Sequence, residues 1–163
     1  MTNRNIPSPV IITLSPKLLV GHCMEMSLIE DHTRLLWEKF IPKQRNISPK
    51  VSNDFYSLQI YPKGFFDSIQ LHVPFMKWAL IEVSKFENIP SELQTLVLEG
   101  GLYAIFNHKG TSTEIFDYLY TDWIPSSIYQ LDDRPHFEVL GEKYKNGDEN
   151  SEEQIWIPLK LKS

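Results

Sequence analysis

The chain has 163 residues and a net charge of −5, with 42% hydrophobic and 23% charged residues. That length supports one domain with a sizeable core, and the acidic balance argues against direct nucleic-acid binding, which needs a basic footprint. A single cysteine, Cys23, excludes an internal disulfide, and there is no secretory leader or long apolar run, so a soluble cytoplasmic protein is expected.

Val10 to Leu14 and Leu18 to Met26 read as a strand with a bend at Ser15-Pro16, placed at a sheet edge because Pro16 cannot donate to a ladder. Ser27-x-x-Glu30 has the form of a capping box, and Leu36, Trp37, Phe40 and Ile41 follow at helical spacing until Pro42. Phe55 to Tyr61 alternates as a strand. Pro62-Lys63-Gly64 is a turn, and Phe75 to Phe86 is a second, longer strand.

The second part repeats this order. Leu96 to Leu98 leads into a Gly100-Gly101 turn and a strand over Leu102 to Asn107. Thr111-x-x-Glu114 resembles a second capping box, and Ile115, Leu119 and Trp123 mark the apolar stripe of a helix closed by Pro125. Phe137 to Tyr144 and Ile155 to Leu161 are the last two strands, joined across Asn146-Gly147. A shift of 83 residues lays Phe40-Ile41-Pro42 on Trp123-Ile124-Pro125, Leu36 on Leu119, Leu19 on Leu102 and Tyr61 on Tyr144. The expected fold is α+β, a duplicated β-α-β-β unit in one domain over 1–163, with halves at about 8–90 and 95–163.

The five histidines are scattered without metal-ligand spacing, and no P-loop, GxGxxG or GxSxG is present, so neither metal nor cofactor is expected. The remaining signal is a carboxylate among aromatics. Glu138 lies in Pro135-His136-Phe137-Glu138-Val139-Leu140, on the strand face opposite Phe137 and Val139. That face is either solvent or a cavity between the halves, where low dielectric and aromatic faces would favour a cation. Glu82, between Ile81 and Val83, has the same ambiguity, and the tryptophans read equally as core or as pocket wall.

Several of these segments together resemble the GyrI-like small-molecule-binding superfamily, also called the AraC-type effector-binding domain. They are Leu102 to Gly110 (LYAIFNHKG), Leu36 to Phe40 (LWEKF), Ile81-Glu82-Val83, Tyr120 to Pro125 (YTDWIP), Pro135 to Glu138 (PHFE) and Ile155 to Pro158 (IWIP). The chain departs from the pattern at Leu140, where an aromatic is common, and at Gln154, where an acid is common.

The resemblance implies a tandem SHS2-like fold, with an antiparallel sheet, two helices and pseudo-two-fold symmetry. It also implies a stand-alone binding protein whose cleft takes a hydrophobic or cationic molecule against a glutamate, with Glu138 at that motif position. The candidate ligand-binding residues are Glu138, Trp123, Tyr120, Tyr103, Trp37, Phe40, Glu82 and Trp156. Relatives in the superfamily suggest two alternatives: hydrolysis of cyclopropane-containing electrophiles, and gyrase-inhibitor-like interaction with a protein partner.

Overall fold

A computed structural model describes residues 6–163. In chain order the strands are β1 (Val10–Leu14), β2 (Lys17–Met26), β3 (Lys50–Ile60), β4 (Phe75–Val83), β5 (Gln94–Leu98), β6 (Gly101–Lys109), β7 (Tyr129–Leu131), β8 (His136–Leu140) and β9 (Glu152–Leu161). Helix α1 (Thr33–Phe40) separates β2 from β3, and α2 (Glu114–Tyr118) and α3 (Ile124–Ser126) lie between β6 and β7. The main sheet runs β1-β6-β9-β8-β3-β4-β2-β5, with β7 paired to β9, and every pairing is antiparallel.

This order is its own image when β1 is exchanged with β5, β2 with β6, β3 with β8 and β4 with β9. The pseudo-dyad passes between β3 and β8. The opening strands of the halves start at Val10 and Gln94, then at Lys17 and Gly101, an offset of 84 residues both times. A uniform shift of 83 is therefore one residue out for these strands. Leu18, rather than Leu19, corresponds to Leu102, while Leu19 and Tyr103 are the matching buried pair. The offset of 83 holds at the helix ends, where Ile41 and Ile124 each begin a new turn with proline next.

β1 and β2 form one bent strand that pairs with the bent strand β5–β6 in a constant register, Val10↔Ile105 through Lys17↔Leu98. Both ends of the sheet meet at this bend, so the sheet curls around Leu14, Leu19, Leu58, Leu80, Leu98 and Tyr103. Pro16 sits at the corner between the two pairings, where no ladder donor is required, and not on an edge strand as expected; β2 lies between β4 and β5. The outer face of the sheet carries the helices. α1 covers the first half through Leu36 and Phe40, and α2 with the turn that follows it covers the second through Ile115 and Leu119.

Neither capping box opens its helix. Ser27 Oγ accepts from Glu30 N–H at 3.0 Å, but the result is an isolated turn, and α1 starts only at Thr33, whose N–H donates to Asp31 Oδ1. At the second site Ser112, not Thr111, accepts from Glu114 N–H. The expected helix over 111–125 is also interrupted. Leu119–Trp123 is π-helical, with Ile124 N–H donating five residues back to Leu119. The extra residue turns the apolar stripe, so Ile124 is buried where Trp123 was expected. The expected strand to Tyr144 stops at Leu140, and β7 was not anticipated.

Two basic residues fasten the second half. Arg134 donates to the carbonyls of Leu102 and Leu159 at 2.7 and 2.9 Å, pairs with Asp132 at 2.6 Å and lies 4.7 Å over the Tyr103 ring. Lys162 Nζ donates to the carbonyls of Ile124, Pro125 and Ser127 at the end of α3. A cation on a helix C-terminus is worth about 1 kcal/mol, so Lys162→Ala should lower stability by about that amount. A urea unfolding midpoint reads it, and an unchanged midpoint would show that the three carbonyls are equally well served by water.

Among the described residues no helix is long and apolar enough to cross a membrane.

Candidate functional site

Between the two helices the outer face of the sheet is floored by β3 and β8. Their register, Ser57↔Glu138 and Gln59↔His136, sets these four polar side chains on one face, with Tyr61 following Gln59 by alternation. Neither helix covers this strip. A cavity of about 370 Å³ opens over it, bounded by Phe116 and Tyr120 of the second helical segment and by Phe65 and Phe66 of the loop between β3 and β4.

The aromatic groups hold one another in place. Phe66 stacks on Tyr120 at 4.9 Å and on His136 at 5.0 Å, and meets Tyr61 edge-on at 4.9 Å. Tyr61 in turn stacks on Phe65 at 4.6 Å. Such ring pairs add about 1 kcal/mol each beyond burial. Tyr120 Oη lies 3.4 Å from His136 Nδ1. Tyr120 belongs to the π-helical turn, a distortion that often marks a functional site.

Glu138 is the acid in this floor. Gln59 Nε2 donates to its Oε2 at 3.5 Å. Burial raises its pKa above the ordinary 4.5; the charge of Lys77 opposes that rise, Glu153 adds to it, and hydrogen bonds from Gln59 and Ser57 counter it. Burial drives His136 the other way, to about 3, so the imidazole is neutral at physiological pH. The hydroxyls of Tyr61 and Tyr120 are held protonated by burial, with the charge of Glu138 contributing. Among the described residues Glu138 is the one carboxylate on this floor; the other acid of the lining, Asp117, comes from α2.

Of the eight residues singled out in the sequence, Glu138, Tyr120 and Trp156 border the cavity. Trp156 also belongs to the core inside the curl. Its ring stacks on Phe137 at 5.0 Å and meets Tyr103 at 6.0 Å, inside the curl. Tyr103 is fully buried there and donates to Pro135 O at 2.8 Å. Trp37 and Phe40 pack with Phe55 beneath α1, and Trp123 packs on Phe106 and Tyr129. Glu82 faces the interior of the curl and pairs with Lys17 at 2.9 Å. The geometry thus brings three of the eight together and leaves Tyr103, Trp37, Phe40, Trp123 and Glu82 elsewhere.

Sequence reading passed over Gln59, Tyr61, Phe65, Phe66 and His136. Gln59 and Tyr61 were visible as alternate positions of the FYSLQIY strand, and Phe65-Phe66 as paired aromatics in the loop that follows it.

The family profile of the GyrI-like small molecule binding domain matches residues 7–160. The chain belongs to this family. Transcriptional regulator BrlR of Pseudomonas aeruginosa is 26% identical over 132 residues, 76% of this chain and 45% of BrlR, so the chain spans less than half of that protein. Among solved structures, SAV2435 bound to tetraphenylphosphonium superposes with a TM-score of 0.72 at 13% identity, over 94% of both chains. A hydrolase encoded by lin2189 from Listeria innocua superposes with a TM-score of 0.60 at 10% identity, over 97% of this chain and 94% of that one. At such identities the likeness establishes the fold. GyrI-like domains bind small molecules, and they occur in bacterial transcription regulators.

Proposed function

We propose that the cavity over β3 and β8 binds a lipophilic cation, with Glu138 as its anionic anchor and Tyr61, Phe66 and Tyr120 as its aromatic wall. The observation that carries this reading is a buried carboxylate on the floor of a cavity walled by aromatic rings, with a second acid, Asp117, at its rim and, among the described residues, no lysine or arginine in the lining. A cation there gains Coulomb attraction in a medium of reduced dielectric and cation–π contact with the rings. The ligand of SAV2435 is such a cation, which agrees with the reading. The whole chain then acts as one effector-binding unit, a cytoplasmic sensor or sequestering protein that does not itself contact nucleic acid.

The test compares two ligands of one shape, phenyltrimethylammonium and tert-butylbenzene. Calorimetric titration should give the cation about tenfold tighter binding. Equal affinities would remove the electrostatic anchor from the reading.

A hydrolase is the second reading, favoured by the raised pKa of Glu138, which suits proton transfer to or from a bound electrophile or water. Cys23 offers no nucleophile to it, since it lies on β2 against Gln94, away from the cavity. Turnover of a cyclopropane-containing electrophile above the buffer rate, lost in Glu138→Gln, would establish this reading.

A further inference from the structure

We propose that the ligand is a single-chain amphiphilic cation, its head group over Glu138 and its alkyl tail leaving the cavity across Leu28 and Ile69. This rests on the reading of the cavity as a cation site and adds the shape of the molecule that fills it.

The polarity of the cavity is graded. Gln59, His136 and Glu138 are gathered on the sheet floor, while Leu28 and Ile69 stand in its wall with 45% and 52% of their surface exposed. Ile29 and Leu71, beside them in the chain, are 65% and 58% exposed. The two loops carrying these four residues are joined by a backbone bond from Ile29 N–H to Leu71 O at 3.0 Å. Of the other large exposed hydrophobic residues, Val10, Val51 and Val97 lie on separate strands, and Ile128 and Leu161 lie on segments joined by a bond from Lys162 N–H to Ile128 O at 2.9 Å, but none of these five lines the cavity. Isolated exposed aliphatics are normal; four on two joined loops, continuous with a cavity, form a patch with a use. The opposite rim carries Asp117 and Thr121.

A compact cation would be held by the floor and the rings and would leave this patch wet. An alkyl chain rising from the floor would cover it. The loops need not move, because the residues already stand at the opening. Each methylene covered strengthens binding by up to about fourfold, and by less where one side remains in water.

The experiment titrates the full chain with ethyl-, hexyl- and decyltrimethylammonium below their micelle-forming concentrations, and with decyl sulfate. The decyl ion should bind roughly a hundredfold tighter than the ethyl ion. Ile69→Ser should weaken the decyl ion about fivefold and leave the ethyl ion unchanged. Binding of the ethyl and decyl ions with one affinity, or an equal loss for both in Ile69→Ser, would overturn the amphiphile while leaving the cation site standing. Decyl sulfate as tight as the decyl ion would show the tail acting without the anchor and would overturn the proposal too. If no ammonium ion binds, the cation site itself fails, and the amphiphile with it.

Discussion

Glu138→Gln should weaken phenyltrimethylammonium binding roughly ten- to fiftyfold and change tert-butylbenzene binding less than about threefold. The substitution keeps the volume and the hydrogen-bonding reach of the side chain, so the cavity keeps its shape and loses only its charge. The two ligands separate electrostatics from packing. A loss of equal size for both would mean that the amide had rearranged the floor, and that Glu138 matters by its contacts with Gln59 and Ser57.

The pH dependence of the same titration identifies the titrating group. Only ionised Glu138 attracts a cation, and burial raises its pKa above 4.5. Affinity should therefore be flat at high pH, fall as pH drops through a value above 4.5, and level off at about the ten- to fiftyfold loss expected of Glu138→Gln. The imidazole and the two phenols of the cavity do not imitate this profile. His136 stays neutral down to about 3, and the hydroxyls of Tyr61 and Tyr120 stay protonated far above neutrality. Glu138→Gln should abolish the slope; a slope that survives would assign the proton elsewhere.

Stability carries the same two groups with opposite signs. The native state holds the Glu138 proton to higher pH than the unfolded chain does, so this group costs stability as pH rises from 4.5 through its native pKa. His136 takes up its proton in the unfolded chain near 6.5 but in the native state only near 3. Its contribution is therefore lost as pH falls through that interval.

Much of the architecture was legible because the two halves repeat their punctuation. Aromatic-Ile-Pro ends each helix region, and alternating strands follow in the same order. The location of the acid was legible as well, but not its direction. Alternation separates Glu138 from Phe137; it does not say which side of a sheet covered on both faces is the empty one. Here Phe137 points into the curl and Glu138 to the strip between the helices.

The aromatic candidates divided for local reasons. Trp37 and Phe40 lie on the helix stripe, and that stripe is what packs against the sheet. Trp123 was placed by a 3.6-residue repeat that the π-helical turn breaks. Phe66 reaches the cavity from a loop with no periodicity to follow, and only the folded chain sets it against Tyr120 and His136.

Gly21→Ala should cost about 4 kcal/mol or more, enough to leave the chain unfolded or insoluble. Gly21 is buried on β2, between Leu80 of β4 and Gln94 of β5. A Cβ at this position would stand 1.8 Å from the carbonyl oxygen of Ala79 and 2.9 Å from the Cα of Leu80. Both obstacles are backbone, so no rotamer change relieves them, and β2 would have to leave β4. That separation would propagate to the site, because β4 also pairs with β3, the strand carrying Gln59 into the cavity floor. Gly147→Ala is the control. Gly147 has a φ of 74°, and a methyl group there would find nothing within 4 Å, so alanine meets only the backbone penalty, about 1 kcal/mol. Chemical unfolding of the two variants should differ by several kcal/mol. A Gly21→Ala protein as stable as Gly147→Ala would mean that β2 and β4 do not approach this closely in solution, and that the curl of the sheet is held by the bend at Ser15-Pro16 alone.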